Sequence, residues 1–211
     1  MSPRPPRWYF SFSSPYSWLA YRDLTGPYAD IAHRIEWLPF WEPDEPSLGR
    51  LASCGVRLPY VPMSAEKLRY VEYDVRRLAR ARGLRLTWPR DRRPRWEVSH
   101  LAYLVAEEHG VGPEFAGRVY RARWEEGRDI SDPAVIASLG PELGLNPDRL
   151  AAAGEDRAVR ERGLAALRAL HEDGVFGVPY FIDGGEQFWG VDRLPGFAAC
   201  VRAGLAAGKA G

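Results

Sequence analysis

Gly177-Val178-Pro179-Tyr180-Phe181-Ile182-Asp183-Gly184-Gly185-Glu186-Gln187-Phe188-Trp189 is the stretch at which the chain changes period. Residues 177–182 form a short apolar and aromatic run that reads as a strand. Asp183-Gly184-Gly185 supplies turn residues, and 186–189 reads as the returning strand, so the whole is a β-hairpin. Residues 192–207 then carry the spacing of a terminal helix.

At the other end, Arg7-Trp8-Tyr9-Phe10-Ser11-Phe12 is an aromatic-rich strand of the kind covered on both sides, a candidate central strand. Ser14 caps a following helix and Pro15 fits its first position, where no N–H is needed. That helix is expected to run to residue 28 or 31 despite Gly26-Pro27. Residues 33–40 form a second strand, expected beside the first and parallel to it. Residues 41–62 are rich in Pro, Gly and Ser and read as a loop or short helical turns.

Helical spacing follows over 64–82, with Leu68, Val71, Val75, Leu78 and Ala79 on one face and Tyr70 and Tyr73 at its edges, then over 98–109 and 113–124. Caps at Ser131-Asp132 and Asn146 open two short helices, and 157–171 carries Val159, Leu164, Leu167 and Leu170 inward. The order β-α-β, helices, β-β-α is that of an α/β, thioredoxin-like domain. Its two halves, 7–40 and 174–207, are separated by an all-helical insertion, 63–172, reached through 41–62.

The 211 residues are 45% hydrophobic and 12% aromatic, enough to fold compactly and to exclude general disorder. Lys plus Arg at 29 against Asp plus Glu at 28 leaves +1, so no bulk field steers the chain to nucleic acid or an anionic membrane. Residues 67–95 hold eleven Lys or Arg against Glu72, Asp74 and Asp91, yet carry no nucleic-acid recognition motif. Cys54 and Cys200 form neither a CxxC nor a disulfide framework. His33, His100, His109 and His171 lack metal-ligand spacing, so no metal is expected, and His100 reads as an ordinary helix-face residue. Without a signal-like or membrane-spanning run, the expected location is the cytoplasm.

Three segments carry candidate chemistry. Ser14-Pro15-Tyr16-Ser17 stands at a helix N-terminus, where a thiolate is stabilised, although Ser-Pro is also simply a good helix start. No histidine and acid are placed to make Ser14 a triad nucleophile. Val178-Pro179 heads a strand; Pro179 is either an edge-strand proline or cis, and the cis form exposes the Val178 backbone to an extended peptide. Asp192 either caps the last helix or receives an amino group, with Arg193 available for a carboxylate. Tyr16, Trp88, Trp96 and Trp124 are candidates for an aromatic substrate pocket, with core packing as the alternative for the tryptophans.

Taken together, 10–17, 67–84, 115–139 and above all Gly174-Val175-Phe176-Gly177-Val178-Pro179-Tyr180-Phe181 with Phe188-Trp189-Gly190-Val191-Asp192-Arg193 resemble the 2-hydroxychromene-2-carboxylate isomerase family. That family is close to the kappa-class glutathione transferases within the DsbA-like thioredoxin superfamily. The resemblance implies a glutathione-dependent isomerase in which Ser14 hydrogen-bonds the glutathione sulfur. It implies that Val178, before a cis Pro179, holds the peptide backbone, and that Asp192, with Val191, receives the γ-glutamyl end. Ser17 takes the second cysteine position of the DsbA site, so a resident CxxC is excluded. The implied substrate is a small unsaturated aromatic or polyketide-like carboxylic acid, with glutathione or another small thiol as cofactor, and the implied assembly is a homodimer. A kappa-like transferase forming a stable conjugate, and a thiol-independent biosynthetic enzyme or binding protein, stand as alternatives. The chain departs from the family pattern at Ser11, where Asp is usual, in lacking Gly-Asn within 41–62, and at Val98, near a usual Asn.

Overall fold

The computed structural model describes residues 4–59 and 63–208. Four strands, β1 (Arg7–Phe10), β2 (Glu36–Pro39), β3 (Tyr180–Asp183) and β4 (Glu186–Trp189), form one mixed sheet in the order β2-β1-β3-β4. β1 pairs in parallel with β2, Trp8 opposite Trp37, and antiparallel with β3, Trp8 opposite Phe181. Alternation sends Trp8 and Phe10 to one face and Tyr9 to the other, and both faces are covered, which is why all three are wholly buried. On the first face Trp8 meets Trp37 edge-on at 4.8 Å, and Phe181 stacks on Phe197 of the last helix at 5.0 Å. On the second, Tyr9 packs with Leu170, Val175, Tyr180 and Ile182.

The helices are α1 (Pro15–Leu24), α2 (Ala29–Ala32), α3 (Glu45–Ser53), α4 (Ala65–Ala81), α5 (Trp96–Glu108), α6 (Gly112–Tyr120), α7 (Pro133–Ser138), α8 (Pro147–Ala151), α9 (Arg157–Glu172) and α10 (Leu194–Gly208). Ser14, Asp132 and Asn146 cap α1, α7 and α8 through their side chains. α5 is buried on nearly every side, from Glu97 to Ala106, and packs against α6, α7, α8 and α9 as the axis of the helical block. α6 runs directly into a π-helical turn, Arg121–Glu125. Among the described residues, no helix is long and apolar enough to cross a membrane.

Several local expectations are corrected. The first strand stops at Phe10 rather than 12, because side chains of the helical block take up the backbone of Ser11 and Phe12. The first helix ends at Leu24, since Pro27 disfavours helix at the residue before it, and a separate turn, α2, follows. Within 41–62 stands a full helix, α3, capped by Asp44 with Pro46 in its first turn; Tyr60, Val61 and Pro62 lie outside the described residues. On α4, Val71, Val75 and Ala79 are buried but Leu68 is 47% exposed, because the helix meets its neighbours over a narrower stripe than the spacing allowed. The late strand begins at Tyr180, and Asp183 pairs with Glu186, leaving a two-residue turn whose Gly184 has φ +56°.

Candidate functional site

Ser14 has the extended backbone of a cap, and its Oγ accepts the Ser17 N–H at 3.2 Å. Its hydroxyl proton is poorly used: among the described residues it meets the Val178 carbonyl, 3.5 Å away, against a typical O–H···O distance of about 2.7 Å. The proton therefore remains available to a better acceptor brought between helix and strand. α1 adds the partial positive charge of its first-turn amides at the same point.

The Val178–Pro179 peptide bond is cis. The Val178 N–H has no backbone partner among the described residues. Beyond β4, Gly190 adopts φ +106° and returns its N–H to the Pro179 carbonyl at 3.0 Å. A Cβ at Gly190 would lie 2.6 Å from Asp192 Oδ1, so glycine is what lets the carboxylate fold back here. Asp192 is 72% exposed and only loosely paired with Arg193, at 3.6 Å.

These groups border a cleft of about 540 Å³, lined on this side by Tyr16, Val178, Pro179, Trp189, Val191 and Asp192. The opposite wall is α4, with Lys67, Tyr70, Val71, Asp74, Arg77 and Leu78. Tyr16 donates its phenol to Asp74 at 2.8 Å, and Asp74 also accepts from Arg77. Burial, reinforced by the Asp74 bond, holds the Tyr16 phenol well above its ordinary pKa, so it stays neutral. At the far end of α4, Arg82 grips Asp23 of α1 with two bonds of 2.9 and 2.8 Å. The basic run 67–95 thus contributes to this wall. The α4 residues were absent from the sequence-predicted site because helical spacing alone does not say which face meets a cleft.

Tyr16, Val178, Pro179, Val191 and Asp192 are therefore brought together, with Ser14 beside them. Trp88, Trp96 and Trp124 do not line this cleft. Trp124 is 2% exposed, stacked with Trp18 and edge-on to Trp88, and its Nε1 donates to the Phe12 carbonyl at 3.1 Å. Trp96 lies 4.8 Å from the Arg123 guanidinium. Trp88 borders a separate hollow of about 250 Å³ with Arg90 and Asp91.

His100 is more than a helix-face residue. It is wholly buried, its Nδ1 donates to the Trp96 carbonyl at 2.7 Å, and its Nε2 accepts the Phe12 N–H at 3.0 Å. Burial pushes its pKa down to about 3, so it is neutral. No local motif announces this role, because Phe12 is 88 residues away. Ser11, where the resemblance calls for Asp, is also buried and sets its Oγ 3.2 Å from the same Nε2 and 2.8 Å from Ser13 Oγ.

Residues 7–202 match the family described as the DSBA-like thioredoxin domain. Over 190 residues the chain is 28% identical to a 2-hydroxychromene-2-carboxylate isomerase of Pseudomonas putida, covering 88% of each protein. A solved 2-hydroxychromene-2-carboxylate isomerase superposes over 97% of both chains with a TM-score of 0.76 at 24% identity. The cytosolic disulfide reductase DsbM from Pseudomonas aeruginosa, solved with GSH, covers 96% of this chain and 97% of its own, with a TM-score of 0.61 at 21% identity. With its mixed sheet, its all-helical insertion and its serine at the head of α1, the chain belongs to the DSBA-like thioredoxin domain family and is similar to the 2-hydroxychromene-2-carboxylate isomerases.

Proposed function

We propose that this protein is a thiol-dependent isomerase, with glutathione as the thiol, acting on a small unsaturated aromatic or polyketide-like carboxylic acid. The observation that carries the reading is an under-used serine hydroxyl standing 3.5 Å from the Val178 carbonyl, at the edge of a cleft lined by Val178, whose N–H has no backbone partner among the described residues, and by the exposed Asp192 carboxylate. The likeness to isomerases over most of the chain supports it, as does the thioredoxin-like neighbour solved with GSH.

The residues present fit a γ-glutamyl peptide. Val178 offers backbone groups to an extended peptide, the mode of strand addition. Asp192 offers a carboxylate to an ammonium, folded back over Gly190 where a Cβ would collide with it. Glutathione held by Val178, Asp192 and Ser14 would supply a nucleophilic thiolate capable of reversible conjugate addition to an unsaturated acid. Ser14 donates its hydroxyl to the sulfur's negative charge, and the α1 amides lower the cost of that charge. On the facing wall Val71 and Leu78 give an apolar bed, while Lys67 presents an ammonium to the substrate carboxylate. Tyr16, neutral and spent on Asp74, shapes the floor without exchanging protons.

Calorimetric titration of reduced glutathione tests this. Saturable binding that weakens in Ser14→Ala and Asp192→Asn, with a turnover product of unchanged mass, is the expected result. No binding to the unaltered protein overturns the thiol assignment, and a product heavier by one thiol makes the protein a transferase.

A further inference from the structure

The backbone of Phe12 has left the sheet, yet both its polar groups are satisfied by side chains of the helical insertion. His100 Nε2 takes the N–H at 3.0 Å and Trp124 Nε1 supplies the carbonyl at 3.1 Å. One residue earlier, the Ser11 carbonyl accepts from Tyr120 Oη at 3.3 Å and from the Ser14 N–H at 3.2 Å. The turn that delivers Ser14 is therefore held from outside the strand and helix it joins.

Each jaw is itself fixed. Because Nδ1 donates to the Trp96 carbonyl, Nε2 of the neutral His100 is left as an acceptor. The π-helical turn brings Ala122, Arg123 and Trp124 into the interior in succession. Arg123 lies 4.8 Å from both the Trp96 and Trp124 rings and holds Asp91 with bonds of 2.8 and 2.7 Å, which locks the indole.

We infer that His100 and Trp124 are positioning residues for Ser14, clamping the Phe12 peptide so that the serine hydroxyl and the first amides of α1 meet the thiol in one geometry. This rests on the thiol-binding reading above. The readout is the pKa of bound glutathione, followed by the ultraviolet absorbance of its thiolate, together with calorimetric affinity for the protonated thiol. The unaltered protein is expected to lower that pKa. Trp124→Phe and His100→Phe are expected to raise it by about one unit toward the Ser14→Ala value, with affinity held within threefold by Val178 and Asp192. His100→Gln, whose amide oxygen again accepts the Phe12 N–H, is expected to recover most of the shift. Folded variants whose bound thiol titrates as in the unaltered protein overturn the clamp while leaving the thiol reading standing. Absence of any glutathione binding to the unaltered protein overturns both. If His100→Phe does not fold, Trp124→Phe, which removes only one jaw, decides.

Discussion

Ser14 and Val178 hang from a sheet whose central residues Trp8, Tyr9 and Phe10 see no solvent, whereas across the cleft α4 leaves Tyr70 62% and Tyr73 75% exposed. The first wall is fastened through backbone ladders, buried rings and the Phe12 clamp. The second is fastened by one narrow buried stripe, Val71, Val75 and Ala79, and by polar pairs to α1, Tyr16 with Asp74 and Arg82 with Asp23. The difference teaches where change is tolerated. On the proposed function, the wall that presents one hydroxyl and one set of amides to a thiol is the over-determined one, while the wall that would meet the substrate carries the exposed side chains.

The sharpest way to break the comparison is to damage the fixed wall. Phe10→Ala is expected to cost about 3–5 kcal/mol, measured by chemical denaturation, because its ring meets Trp8, Phe12 and Tyr103 within 5.3 Å. A loss below 1 kcal/mol would show that β1 is not the over-determined element. Next comes the far end of the same strand, where Asp173 accepts from Arg7 at 2.5 and 2.8 Å and from Tyr9 at 2.5 Å. Burial raises the Asp173 carboxyl pKa, but the Arg7 and Tyr9 bonds outweigh it and leave it below its ordinary 3.8. A depressed carboxylate stabilises the fold above its unfolded pKa, and that contribution is lost as pH falls through 3.8 and on through the lower folded value. Asp173→Asn is expected to cost about 2 kcal/mol at pH 7 and to flatten the acid limb of a stability–pH curve.

Substitutions in the α4 wall sharpen the contrast from the other side. Tyr16→Phe removes one hydrogen bond between the walls and is expected to cost about 1 kcal/mol of stability, with KM for the proposed acid substrate rising more than kcat falls. Tyr70→Ala is expected to leave stability within about 0.5 kcal/mol while altering the relative rates of a substrate series. If Tyr70→Ala destabilised the protein as Phe10→Ala does, the division into fixed and replaceable walls would fail.

Much of the fixed wall is legible locally. The period change at 177–189, the Ser14-Pro15 cap and the aromatic alternation of 7–10 are properties of neighbouring residues, and the sheet and α1 follow from them. The length of α3 escaped, a loop or short helical turns being expected, because Pro, Gly and Ser are scattered through 41–62, although Asp44 followed by Glu45-Pro46 is a helix start by the same rule that identified α1. Leu68 was misplaced because spacing defines a helical face but not the width of what covers it. His100 and Trp124 were beyond local reading altogether, since their partner is brought to them only by the assembled fold. The same holds for the α4 side of the cleft, where Lys67 and Asp74 look like any charges on an amphipathic helix until Val178 stands opposite.

The position of β1 in the sheet has one more consequence, for synthesis rather than catalysis. Trp8 and Phe181 are adjacent strand partners, and Ser14 and Val178, which meet at the edge of the cleft, are separated by 164 residues. While the ribosome works through everything between them, β1 can pair only with β2, and its other edge stays open, the kind of edge that recruits foreign strands. Chains released before residue 180 therefore lack not only the cleft but the strand that closes that edge, and are expected to aggregate where the full chain does not.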